Sequence, residues 1–198
     1  IIRIDEGGLS IHGGIFLAIA SGYLYARKSK VSFLKLADII VIALPLAQGI
    51  GRVGCDVFGK PMANVMPWGI LYNGQVLHPA QVYEFVLDYM LFMILWRKSY
   101  KKKFEGELLI IYLVAFSIIR GIIEFFRINP VIWGPFSVSH LLSLGLVGLG
   151  LLIYKLIFNK SMNYEVIHKE NETRLRKLIF YFIGLTLMSI IIFYFVQG

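Results

Sequence analysis

Charged side chains stand in this chain where apolar segments ordinarily exclude them. Arg120 and Glu124 lie within Ile119-Arg120-Gly121-Ile122-Ile123-Glu124-Phe125-Phe126-Arg127, deep in a hydrophobic run. Their i,i+4 spacing puts both on one helical face, where they can pair. A charge near a bilayer centre costs roughly 2.5–3.5 kcal/mol on insertion scales, so an intramembrane arginine points to function. The competing reading is a snorkelling pair that anchors a helix end, and Arg127 fits either. Arg52 sits in Gly49-Ile50-Gly51-Arg52-Val53-Gly54. Gly51 and Gly54 would let a backbone or ligand approach closely, and the arginine supplies a planar fork matched to phosphate oxygens. Glycines also serve helix packing in membranes, so the turn alone is weak evidence. Paired with a second arginine on the same side, it suggests a phosphodiester headgroup as ligand.

Two histidines extend the set. His12, in Ser10-Ile11-His12-Gly13-Gly14, could move a proton near neutral pH, or simply hydrogen-bond at an interface. His78 opens His78-Pro79-Ala80-Gln81-Val82-Tyr83-Glu84. Pro79 suits a first helical turn, and Glu84 lies about one turn in, either as a site carboxylate or as a helix-start device near the positive dipole end. Cys55 is the single cysteine, which excludes a disulfide framework and any CxxC centre. It reads as a packing residue rather than a nucleophile. The four histidines (12, 78, 140 and 168) lack metal-ligand spacing, so neither a metal nor another cofactor is expected.

The elements that must position these residues are membrane helices. Of 198 residues, 58% are hydrophobic and 16% charged, too apolar for a soluble globule that needs a polar skin. The apolar runs predict an all-α, polytopic transmembrane helical bundle of about six spans, roughly 11–26, 36–50, 81–96, 106–126, 138–158 and 176–196. No period-2 alternation supports a β-barrel. Fifteen of the twenty Lys and Arg fall after spans one (Arg27, Lys28, Lys30, Lys35), three (Arg97, Lys98, Lys101, Lys102, Lys103) and five (Lys155, Lys160, Lys169, Arg174, Arg176, Lys177). The positive-inside rule makes that side cytoplasmic, so both chain ends, the loops 51–80 and 127–137, and the candidate residues face outward. The net charge of +8 follows from topology and anionic lipid, with no nucleic acid required. The chain opens Ile1-Ile2-Arg3 without Met or signal-peptide pattern, and an N-terminus further upstream is expected.

The motifs together resemble the prolipoprotein diacylglyceryl transferases of bacteria. The matching stretches are GGLSIHGG (7–14), LPLAQGIGRVG (44–54), FGKP (58–61), PWGI (67–70), HPAQVYE (78–84), EGELL (105–109) and RGIIEFFR (120–127), in the family's order over roughly residues 5–155. The resemblance implies transfer of the diacylglyceryl group of phosphatidylglycerol to the lipobox cysteine thiol in a preprolipoprotein signal peptide. It places the enzyme in the inner (cytoplasmic) membrane with its site toward the outer leaflet. By matching position, His12, Arg52 and Arg120 would be catalytic. Gly51, Gly54, Asp56, Gly59, His78, Tyr83, Glu84, Glu124 and Arg127 are the substrate-binding candidates, of which Gly59 and Glu124 match the family's functional glycine and glutamate.

Three departures accompany the match. The loop between Arg52 and Gly59 is short, so equating Asp56 with the family's loop glutamate depends on a gap. The family normally has two further spans, with a functional tyrosine, before the histidine helix. A basic linker and sixth span extend past the family's usual end, dividing the chain into a transferase-like region (1–158) and an appendage (159–198). The alternative reading is a non-catalytic lipid- or lipoprotein-binding paralogue. A transporter is disfavoured, because there is no internal repeat and no matched pair of broken spans.

Overall fold

The computed structural model describes residues 8–55, 57–128, 131–134, 136–158 and 172–197. Six helices dominate: α1 (Gly8–Lys28), α2 (Phe33–Val53), α3 (Ala80–Ser99), α4 (Glu107–Glu124), α5 (Val138–Phe158) and α6 (Glu172–Gln197). Each overlaps one expected span, with ends shifted by up to four residues. Three of them, α2, α5 and α6, are long and apolar enough to cross a membrane by length and composition. Helices α3 and α4 carry the polar machinery: Glu84, Asp88, Arg97 and Lys98 on one, Glu107, Arg120 and Glu124 on the other. Large apolar side chains lie open on the outer helices, such as Phe16 (74% exposed), Leu144 (69%) and Phe195 (89%). Such a surface suits lipid better than water.

The expectation of helices alone needs one correction, because two short antiparallel hairpins occupy the loops. Strands β1 (Ile70–Tyr72) and β2 (Gln75–Leu77) pair Ile70 with Leu77 and Tyr72 with Gln75. The turn Asn73-Gly74 has φ of 48° and 79°, the two positive values a tight hairpin turn requires. Strands β3 (Val131–Trp133) and β4 (Phe136–Ser137) form the second hairpin, leading into α5.

Helices α2, α3 and α4 pack around Val41, Leu91, Leu95, Leu108 and Tyr112. At the end carrying the basic loops, the α4 N-terminus is capped from another helix. Gly106, at φ +91°, begins the turn, and the backbone N–H groups of Gly106 and Leu109 donate to Asp38 of α2 at 2.7 and 2.9 Å. Lys102 Nζ pairs with the same carboxylate at 3.0 Å, and Asp38 is 1% exposed. This buried charge satisfies two of the orphan donors that a helix start leaves. Toward the opposite end, a second core joins Ile70, Phe85, Tyr89 and Phe193. It includes α6: Phe193 is fully buried, and the hydroxyls of Ser189 and Tyr89 bond at 3.0 Å.

Candidate functional site

The antiparallel run of α2, α3 and α4 brings the end of α2, the start of α3 and the end of α4 to one level. There the structure gathers three arginines on a single carboxylate. Arg52 Nη2 and Arg120 Nη1 both reach Glu84 Oε1, at 3.1 and 2.9 Å, while Arg127 Nη1 lies 3.5 Å from Oε2. Glu84 is nearly buried, and the arginine side chains are 29%, 24% and 11% exposed in that order. Charge-assisted contacts of this kind are the strong class of hydrogen bond. Arg127, beyond the end of α4, is lowered from the usual arginine value by burial first and by the Arg120 cation next, with Glu84 opposing.

Arg52 and Arg120 therefore meet at one carboxylate, that of Glu84. Glu124 Oε1 accepts from Ser137 Oγ at 2.5 Å, and the Ser137 backbone N–H donates to His140 Nδ1 at 3.1 Å. These buried groups tie the end of α4 to the start of α5, and the Glu124 charge also acts on Arg127. His140 was visible only as one of four histidines, although its partner Ser137 lies close by in sequence.

Backbone zippering holds the site's loops in place. Gly59 N–H donates to the His78 carbonyl at 2.9 Å, Lys60 N–H to Phe126 O at 2.7 Å, and His78 N–H to Lys60 O at 3.0 Å. The segment 58–61 is thus threaded between the entrance to α3 and the exit of α4. A Cβ on Gly59 would lie 2.6 Å from Phe126 O and 2.7 Å from His78 O, both backbone atoms. This close approach explains Gly59 without a ligand. At Gly51 and Gly54 a Cβ would meet nothing within 4 Å among the described residues, so packing between those residues does not explain the two glycines. Gln81 Nε2 donates to the Cys55 carbonyl at 3.0 Å, pinning the exit of α2 to α3. Cys55 is a free thiol.

His78 and Tyr83 form a neighbouring group rather than part of the arginine cluster. Trp68 Nε1–H donates to Tyr83 Oη at 3.0 Å, and that oxygen lies 3.3 Å from His78 Nδ1. Tyr194 of α6 donates to the Trp68 carbonyl at 2.6 Å. Beside them opens a cavity of about 560 Å³, walled by apolar residues including Met66, Leu87, Ile123 and Phe126. The side chain of His12, which falls within α1, and all of Asp56 lie outside the described residues. Among the described residues, no group of three His, Cys, Asp or Glu could hold a metal ion.

Residues 1–156 match the family described as prolipoprotein diacylglyceryl transferase. The phosphatidylglycerol–prolipoprotein diacylglyceryl transferase of Clostridioides difficile strain 630 is 36% identical over 166 residues, covering 82% of this chain and 66% of that protein. The protein of the same name from Finegoldia magna is 34% identical, covering 77% and 63%, and that of Geobacter sulfurreducens is 35% identical, covering 82% and 66%. The chain thus spans a little under two thirds of the length of these curated relatives.

Proposed function

The chain belongs to the prolipoprotein diacylglyceryl transferase family, and we propose that it transfers the diacylglyceryl group of phosphatidylglycerol to the lipobox cysteine of preprolipoproteins. The observation that carries this reading is the convergence of Arg52, Arg120 and Arg127 on Glu84 at one end of the bundle. Three guanidiniums converge on one shared carboxylate, and their planar forks suit phosphate oxygens.

In the reaction, the substrate thiol sulfur bonds to the glyceryl carbon next to the phosphate ester. The carbon–oxygen bond breaks, and glycerol phosphate leaves with the electron pair. Arg52 and Arg120 hold the phosphate and stabilise the charge that gathers on the leaving group. Glu84 orients both arginines beforehand. His12 takes the thiol's proton or orients the lipid. The apolar cavity beside His78 and Tyr83 gives the hydrophobic parts of the substrates a place close to the cluster.

We place all six helices across the bacterial cytoplasmic membrane with the arginine cluster toward the outer leaflet. Two ion pairs at the other end of the bundle, Lys102 with Asp38 and Lys98 with Glu107, accord with that orientation, since they belong to the basic loops. The test is transfer from labelled phosphatidylglycerol in vesicles to a lipobox peptide by the full-length protein. The expected product is a thioether-linked peptide with release of glycerol phosphate, and none from a peptide with serine in place of the cysteine. Phosphatidylglycerol binding without transfer would instead establish a non-catalytic lipid-binding protein.

A further inference from the structure

Asp88 stands one helical turn from Glu84 on the same face of α3. It is fully buried, at 0% exposure, and neither carboxylate oxygen has a hydrogen-bond partner among the described residues. A buried carboxyl left without partners costs a fold stability, so its presence needs a reason outside packing. The charges acting on it are Glu84 of its own helix, Arg52 of α2 and Arg120 of α4. The hydroxyls of Tyr89 (α3) and Tyr112 (α4) are also within electrostatic range. Helix α6 packs nearby through Ser189 and Phe193, which carry no charge.

The arginines near Asp88 are the two that crowd onto one oxygen of Glu84. A phosphate ester that takes a two-pronged contact from either guanidinium must displace or share a bond to Glu84. Each guanidinium has five N–H donors fixed in a plane, so turning one edge toward the ester turns another edge away from Glu84. Asp88 offers two open acceptor oxygens one turn deeper along α3 than Glu84. We propose that Asp88 is a positioning residue that receives Arg52 or Arg120, as the ionised carboxylate, when an anionic phosphate ester draws that arginine from Glu84. The ester then holds the guanidinium from the outer side and Asp88 from the inner side. This inference rests on the arginine cluster being the phosphate-ester site.

The experiment compares Asp88→Asn and Asp88→Glu with wild type, using the full-length protein in phosphatidylglycerol vesicles. Asparagine keeps the size and cannot ionise. Losing one charge-assisted contact in the loaded state should lower kcat/KM about tenfold at neutral pH. Because only the ionised acid can act, the deficit should shrink toward nothing as acid pH protonates Asp88 in wild type. Asp88→Glu should keep that dependence. A wild-type profile for Asp88→Asn, or a deficit unchanged across pH, would overturn the proposal. If Asp88→Asn fails to accumulate, a pH-independent deficit in Asp88→Glu overturns it equally. Should wild type transfer nothing, the transferase reading fails by itself. Asp88 is then judged by calorimetric binding of short-chain phosphatidylglycerol: weaker binding by Asp88→Asn supports the role, and unchanged affinity removes it.

Discussion

Glu84 holds Arg52, Arg120 and Arg127 with two oxygens, so the geometry of the cluster hangs on one side chain. Glu84→Gln should therefore release all three guanidiniums at once. Each charge-assisted contact contributes about 1.5–3 kcal/mol, so losing the strongest alone lowers transfer about tenfold or more. Initial rates across phosphatidylglycerol concentrations would show it as a fall in kcat/KM, and an unchanged value would remove Glu84 from the site. The arginines were legible in the sequence because a guanidinium within an apolar run is conspicuous. Their partner was not, because Arg120 and Glu84 are 36 residues apart and helical spacing reports only neighbours within one helix. Helical spacing pointed only to Glu124, four residues from Arg120. Asp38 escaped for the same reason: its bonds reach 64 to 71 residues along the chain.

Among the elements, the helices were legible from apolar length alone, while the hairpins were too short to show alternation over three residues. Asn73-Gly74 was the one readable signal for them. Helix contacts make sharper tests. A Cβ on Gly49 would sit 2.5 Å from the Tyr89 ring, where α2 meets α3, whereas Gly51, on the other side of the helix, has open space among the described residues. Gly49→Ala should cost about 1–3 kcal/mol by overpacking. Gly51→Ala should be neutral or gain about 0.5–1 kcal/mol from helix propensity. Thermal unfolding in detergent would separate them, and equal stability would contradict the α2–α3 packing. Gly59→Ala must disturb the backbone of 58–61 against His78 and Phe126, so it should impair stability and transfer together. A pure loss of transfer, with unfolding unchanged, would return Gly59 to a direct role with substrate.

For the whole molecule, the alternation of basic loops predicts that the C-terminus lies outside the cytoplasm. A reporter fused after Gly198 should be active only in the periplasm or cell exterior. Activity confined to the cytoplasm would refute the six-span arrangement. The inventory of the site came from motifs in the order the family has them, but its assembly, with loop 58–61 threaded between two helix ends, is a property of the folded chain. The central claim is that arginine forks on a phosphodiester drive the transfer. Its most direct measurement is the diacylglyceryl transfer rate of Arg52→Lys beside Cys55→Ala in the full-length protein. Lysine keeps the charge and loses the planar fork, and removing one transition-state donor costs about 10²–10³ in rate. Arg52→Lys should fall by that factor while Cys55→Ala retains most activity, because the attacking thiol belongs to the substrate. Wild-type transfer by Arg52→Lys, with transfer abolished in Cys55→Ala, would contradict the account and point to a covalent intermediate on Cys55.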